Sequence, residues 1–443
     1  MSNDDARAGA EANRAAAPVA ALGPEREAEL ARRLPAARAA AALLRQSSSE
    51  ARNHALRALR DLLRDREADI LAANAKDVAR AEGRVATAFI DRLRLTPQRL
   101  AGMRESLDAV AALADPVGEI VEARTLANGL CVERARAPLG VIFMIFESRP
   151  NVAIEAFSLA LKAGNAVILR GGSDSTETTA VLYALAEEAL GKASLPIAAI
   201  WGLRDPDRAW ANRLLRERAW VDVVVPRGGD RLIEFVVENS RIPIIKNDRG
   251  LCHLYVHADA DLEMAARIAL NAKTQRPGVC NAIETLLVDA AIAGRALPRI
   301  YQELAPHGVR WLCDERSLAL LAGRPKIAAA PAGTFDVEHL DLVLSCAVVD
   351  GLEQALAHIE AHGSRHSECI VTASGATAEE FLARVDAAAT YWNASTRFTD
   401  GFELGLGGEL GISTQKLHAR GPVGLRELTS ARWLMRGTGQ TRA

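Results

Sequence analysis

From Gly140 to Val256 short apolar strands alternate with amphipathic helices, and no other feature of the chain restricts its fold so severely. "GVIFMIF" precedes "VAIEAFSLALKAG", and "AVILR" precedes "TETTAVLYALAEEALGK". "IAAIWGL", a helix around Arg208–Arg216, "VDVVVP", the helix "RLIEFVVEN" and "IPIIK" continue the series. Strands that are apolar throughout, without polar alternation, must be covered on both faces, the condition of a parallel sheet wrapped by helices. The fold class is therefore α/β. Ligands of such sheets bind beyond the carboxyl ends of the strands, which directs attention to the loops 147–151, 171–175 and 226–230. A second unit of the same kind begins at "CHLYV" and passes through "DADLEMAARIALNAK", with Asp259 or Asp261 as its cap. It continues into "IETLLV" and alternates to about Thr390.

Upstream, Ala, Leu and Arg recur at three- and four-residue spacing from Arg26 to about Ala114, which predicts helices. "VEARTLANGLCVERARAP" then changes to a period of two around Asn128-Gly129, a strong hairpin signal. The hairpin's edges need a partner, and a neighbouring subunit is the expected one. Residues 1–24 are polar and Ala-rich, with Asp4 and Asp5 but no apolar core for a signal peptide; they read as a mobile tail. No apolar stretch approaches the roughly 18–20 residues of a membrane span. Lys plus Arg (54) and Asp plus Glu (56) nearly cancel, leaving −2. Counterion release needs a basic surface, so the chain as a whole is not a nucleic-acid binder. Six scattered cysteines without a C-x-x-C pair fit neither a zinc site nor a disulfide framework, and free thiols point to a reducing cytoplasm.

Three loops invite chemistry. "LRGGSDS" follows a buried strand and opens a helix, so its backbone N–H groups at Gly171, Gly172 and Ser173, with Arg170, suit a phosphate; an ordinary β–α turn has the same composition. "PRGGD" repeats the theme with Arg227, Gly228 and Gly229. Neither matches G-x-G-x-x-G or a Walker loop. Cys280, in "QRPGVCNAIETLLVD", reads either as a small buried hydrophobe or as a nucleophile. For the nucleophile stand the Pro277-Gly278 turn that exposes it, Lys273 and Arg276 that would favour its thiolate, and a neighbouring Asn281. His358, His362 and His366 share a spacing of four, but Gly363 ends the helix between them, and a solvated helix end is preferred to a metal site. Arg397, in "NASTRFTDG", is a lone loop charge whose default place is in solvent, though a substrate carboxylate would need such a group.

Taken together, "PLGVIFMIFESRPNV", "KAGNAVILRGGSDS", "PRGGDRLI", "IPIIKNDRGLCHLYV", "NAKTQRPGVCNAIETLLV", "HSECIVT" and "NASTRFTDGFELGLGGELGISTQKLHARGPVGL" resemble the aldehyde dehydrogenase superfamily. Among its members the chain is most like those that reduce an acyl phosphate. The resemblance implies a Rossmann-like cofactor domain (25–119 and 138–248) and an α/β catalytic domain (249–390). A small β oligomerisation arm (120–137 and 405–443) completes it. It implies NADPH-dependent reduction of L-glutamyl 5-phosphate to L-glutamate 5-semialdehyde with release of phosphate, in proline biosynthesis. Cys280 matches the family nucleophile, Arg170 and Arg227 suit the 2′-phosphate of NADPH, and Gly171, Gly172, Ser173, Gly228 and Gly229 approach the cofactor. Asn151 or Arg149 faces the oxyanion, and Arg149, Arg276, Asn281 and Arg397 bind substrate; no metal is implied. Hydrolytic relatives carry E-L-G-G, whose glutamate activates water. Here "NDRG", Asn247 to Gly250, stands in its place, and "ESRPN" replaces the family's "PWN". The expected partners are further copies of the chain, as a dimer or tetramer, and glutamate 5-kinase in transient contact. A hydrolytic NAD(P)-dependent aldehyde dehydrogenase is the alternative; a cysteine hydrolase would need no nicotinamide, and a scaffold would not need Cys280.

Overall fold

The structure is a computed structural model that describes residues 22–442 apart from Ala86, Ser148 and Asp248. The expected mobile tail thus lies outside the described residues except for 22–24, where Leu22 is buried. Helices Pro24–Leu44, Ser49–Asp65, Glu67–Ala81, Thr87–Leu93 and Pro97–Ala112 come first. The second is capped by Ser48, whose hydroxyl accepts from Ala51 N–H. Strands β1 (Ile120–Thr125) and β2 (Cys131–Pro138) form the hairpin. Its turn closes through Leu126 N–H to Leu130 O at 2.9 Å and needs the left-handed φ of +83° at Gly129.

Next come β3 (Val141–Phe146), β4 (Ala166–Arg170), β5 (Ile200–Gly202) and β6 (Val223–Arg227), parallel in the order β5-β4-β3-β6. All six residues of β3 are buried. Ile142, Met144 and Phe146 join one core with the N-terminal helices, whereas Val141, Phe143 and Ile145 join another with Trp201 and Trp210. An unalternating apolar strand is thus matched by a core on each face. "IPIIK" yields only an isolated bridge between Val224 and Ile244, since Pro243 has no N–H to extend the ladder.

The second unit contains β7 (Cys252–Val256), β8 (Ile283–Asp289), β9 (Arg310–Cys313), β10 (Ile327–Ala329), β11 (Val343–Val349), β12 (Ser367–Val371) and β13 (Ala389–Trp392). They are parallel, in the order β10-β9-β11-β8-β7-β12-β13. Of the two expected caps for helix Leu262–Thr274, Asp261 serves, accepting from Met264 N–H at 3.0 Å. Short strands β14 (Ile412–Ser413) and β15 (Gly421–Pro422) follow, and Leu410, Val423 and Leu428 pack into the first core. The chain ends in β16 (Thr429–Arg436), which pairs antiparallel with β2 from Thr429 opposite Pro138 to Arg436 opposite Cys131. One edge of the hairpin is therefore covered by the chain's own C-terminal strand.

Candidate active site

Because β3, β4 and β6 are parallel neighbours, their carboxyl ends bring the loops after Phe146, Arg170 and Arg227 to one edge. Glu147 N–H donates to Arg227 O at 3.1 Å, and the Glu147 carboxylate accepts from Gly229 N–H at 3.2 Å. A Cβ on Gly228 would meet that carboxylate, so a larger residue there would have to push the Glu147 side chain aside. At the β4 end, Ser173–Ser175 make a single 3-10 turn into helix Thr176–Lys192. Arg170 donates to Pro206 O at 2.6 Å, while its buried Nε has no partner among the described residues. Burial and the neighbouring Arg208 lower the Arg170 pKa. A turn rich in N–H groups, an incompletely bonded guanidinium and a second arginine suit a phosphorylated ribose.

Cys280 lies between helix Leu262–Thr274 and β8, at the amino end of the second sheet. Its loop is held from three sides. Gly250 abuts it so closely that a Cβ there would overlap the Cys280 carbonyl. The Cys252 thiol donates to the same carbonyl at 3.1 Å. Asn281 Nδ2 donates to Thr399 O at 2.8 Å, and Thr396 Oγ1 donates to Asn281 O at 2.7 Å. Asn281 is buried, so a residue expected to touch substrate is instead the tether of the loop. Cys280 itself is only partly buried, unlike Cys252, Cys313, Cys346 and Cys369.

The surroundings do not make a resting thiolate. Burial foremost, then the charges of Glu338 and Glu409, push the Cys280 thiol up to about 11, against the opposing pull of Arg227. The expected help from Lys273 is absent, because its ammonium is buried and donates to Glu284 Oε2 at 2.8 Å and Ile283 O at 2.9 Å. Glu338 receives Gly250 N–H at 2.8 Å, and Glu409, itself pushed up to about 7 by burial, receives Gly401 N–H at 2.7 Å.

Positive charge gathers at the same mouth. Arg149 is pushed down to about 10, first by burial and then by repulsion from Arg227, Arg92 and Arg276. Arg227 donates to Glu409 O at 3.2 Å and pulls on the thiol. It therefore stands at the Cys280 end of the cleft, whereas Arg208 accompanies Arg170. Arg397 Nε donates to Gln275 Oε1 at 2.8 Å and is within electrostatic reach of Cys280 and Arg276. Asn151 begins helix Val152–Lys162 with its amide bonded to Glu155 Oε1 at 2.8 Å. Arg92, Arg208, Glu338 and Glu409 escaped the sequence reading, since arginines on helices and glutamates in loops look solvated until the fold assembles them. The His358 and His362 rings lie 4.6 Å apart, tilted by 49°, on helix Gly351–His362, and His366 lies beyond the helix end beside Ser367.

The sequence profile of the aldehyde dehydrogenase family matches residues 11–309. A gamma-glutamyl phosphate reductase from Glaesserella parasuis is 48% identical over 401 residues, 90% of this chain and 96% of that one. Its counterpart from Moorella thermoacetica is 49% identical over 407 residues, 92% and 97% of the two chains. The crystal structure of gamma-glutamyl phosphate reductase from Thermotoga maritima superposes with a TM-score of 0.90 at 40% identity, covering 94% of this chain and 100% of that one. An acetylating aldehyde dehydrogenase from Geobacillus thermoglucosidasius shares the fold at 18% identity, with a TM-score of 0.68 over 94% and 98% of the two chains.

Proposed function

The chain belongs to the aldehyde dehydrogenase family and, within it, to the γ-glutamyl phosphate reductases; on that premise we propose that it works through an acyl thioester on Cys280, with NADPH as hydride donor. The reaction is reduction of L-glutamyl 5-phosphate to L-glutamate 5-semialdehyde with release of phosphate, a step of proline biosynthesis. The observation that carries the mechanism is a partly accessible cysteine, backed by a glycine that cannot be replaced and ringed by arginines.

Cys280 sulfur bonds to the C5 carbonyl carbon, and the carbon–oxygen bond to phosphate breaks, the phosphate leaving with the electron pair. The thiol proton must depart first. Glu409, with a carboxyl pushed up to about 7 and within electrostatic reach of the thiol, is a base of suitable strength. Cys280 N–H, with Asn151 or Arg149 from the facing loop, steadies the oxyanion; one such donor is typically worth about 10²–10³ in rate. When bound, NADPH would supply the hydride that adds to the thioester carbonyl carbon. The resulting Cys280 thiohemiacetal collapses, the C–S bond breaks, and sulfur recovers its electron pair and proton. Asn247, which the resemblance puts where hydrolytic relatives carry a water-activating glutamate, has an amide in its place, donating to Pro226 O at 3.1 Å. An amide cannot deprotonate water, which favours phosphate over hydroxide as the acyl partner.

The family uses NAD(P). Preference for NADPH is supported by Arg170 with Arg208 beside it, two cations suited to a 2′-phosphate. Assembly into a dimer or tetramer is supported by the β1-β2-β16 sheet, which exposes Ile120, Trp433 and Met435 and whose outer strand edges have no pairing strand among the described residues. Contact with glutamate 5-kinase would shorten the exposure of a labile acyl phosphate, and free thiols suit the reducing cytoplasm. No helix among the described residues is long and apolar enough to cross a membrane. The deciding experiment is oxidation of L-glutamate 5-semialdehyde by NADP⁺ with and without phosphate. Turnover should require phosphate; a full rate without it would overturn the mechanism.

A further inference from the structure

Helix Thr87–Leu93 belongs to the N-terminal helical layer, far in sequence from the loops that meet at Cys280. The surface arginines that follow it in the chain are engaged. Arg99 takes both carboxylate oxygens of Asp91 at 3.0 Å, and Arg94 reaches Glu82 at 3.4 Å. Arg92 differs: among the described residues it makes no hydrogen bond or ion pair, although Asp91 adjoins it in sequence. It projects to the rim of the Cys280 loop, where a Cβ on Gly278 would lie 3.9 Å from Arg92 Nη2. Its charge also reaches Arg149 on the opposite lip, and so does that of Arg276.

Like charges gathered without counter-charges are costly unless an anion completes them. Of the groups that act most strongly on Arg149, the one carboxylate among the described residues is Glu155, already bonded to Asn151. That imbalance suits a dianion. The environment of Arg397 is different, because Asp400 and Glu403 stand close enough to act on it. One cation with adjacent carboxylates matches the zwitterionic α-amino acid end of a substrate. The two ends of L-glutamyl 5-phosphate carry these two charge patterns.

We propose that Arg92 is a phosphate-binding residue of this active site, reaching over the Cys280 loop from the N-terminal helical layer to receive, with Arg149 and Arg276, the phosphoryl group of the substrate. The inference rests on the acyl-phosphate reading above and adds a residue to it. It also gives the helical layer a part in chemistry. Closing Arg92 onto the anion ties that layer to the Pro277-Gly278 turn, so the phosphate is gripped from both sides of the cleft. A charge-assisted contact of this kind strengthens anion binding about ten- to a hundredfold.

The test is steady-state oxidation of L-glutamate 5-semialdehyde by NADP⁺ with phosphate as the varied substrate, in the unmodified protein, Arg92→Ala and Arg92→Lys. Arg92→Ala should raise KM for phosphate at least about tenfold, with KM for semialdehyde and for NADP⁺ within about threefold; Arg92→Lys should recover part of the loss. A second readout needs no turnover: the phosphate concentration that half-protects Cys280 from iodoacetamide should rise by the same factor. Thermal melting of each variant establishes that it is folded, and Arg92→Gln replaces Arg92→Ala if that variant is not. An unchanged phosphate KM and protection, or a rise in the semialdehyde KM instead, would overturn the role of Arg92. Phosphate-independent turnover of the unmodified protein would sink the acyl-phosphate reading itself, so the two failures are told apart.

Discussion

Alkylation of Cys280 in the ligand-free protein should be slow, and the reason is local. The thiol is pushed up to about 11 by burial, Glu338 and Glu409. An unperturbed cysteine near 8.5 is about one quarter thiolate at pH 8, whereas one at 11 is about 0.1% thiolate, a deficit of roughly two hundredfold. The assay is iodoacetamide labelling from pH 7 to 11 with peptide mapping, which separates Cys280 from the partly buried Cys131. The rate at Cys280 should climb about tenfold per pH unit to a midpoint near 11. Glu338→Gln and Glu409→Gln each delete a negative charge that opposes the thiolate, so each should lower the midpoint and speed labelling at pH 8. Arg227→Ala removes the opposing pull and should raise it. A midpoint at or below 8.5 in the unmodified protein, or midpoints indifferent to all three substitutions, would refute the reasoning. A resting thiol of this kind resists adventitious oxidation and acquires nucleophilicity only when its proton has somewhere to go.

Gly250→Ala should abolish turnover and lower the melting temperature, because its Cβ would overlap the Cys280 carbonyl; Gly294→Ala, which meets nothing within 4 Å, should be neutral or slightly stabilising in the same melts. Lys273→Met strands Glu284 in the core and should cost about 3–5 kcal/mol in urea unfolding, and adding Glu284→Leu should recover most of it. Arg170→Ala should weaken NADPH at least about tenfold more than NADH, read by fluorescence titration; an equal loss would argue against a 2′-phosphate contact.

What could be read from the sequence was what depends on local pattern. The unbroken apolarity of Val141–Phe146 required two covering layers, and the fold supplies a core on each face. The Asn128-Gly129 turn was legible because few residues tolerate its left-handed geometry. Quantities set by tertiary neighbours were not. Lys273 looked like a cation for the thiolate, but its partner Glu284 lies on the next strand, and only folding reveals the ion pair. Asn281 looked available for substrate until Thr399, more than a hundred residues away, claimed its amide. Arg92 and Arg208 sit in helical sequence where an arginine is ordinarily a solvated charge. Nothing in their immediate neighbourhood distinguishes them from Arg94 or Arg99.

The acyl-enzyme itself offers the most direct measurement. Protein mixed with L-glutamate 5-semialdehyde and NADP⁺ in the absence of phosphate, quenched in acid and mapped by mass spectrometry, should carry a glutamyl group on the Cys280 peptide. NADPH should be released at about one equivalent per chain, and the label should vanish when phosphate is added. Continuous NADPH release without phosphate, with free glutamate accumulating and Cys280 unlabelled, would contradict the thioester and its protection from water together.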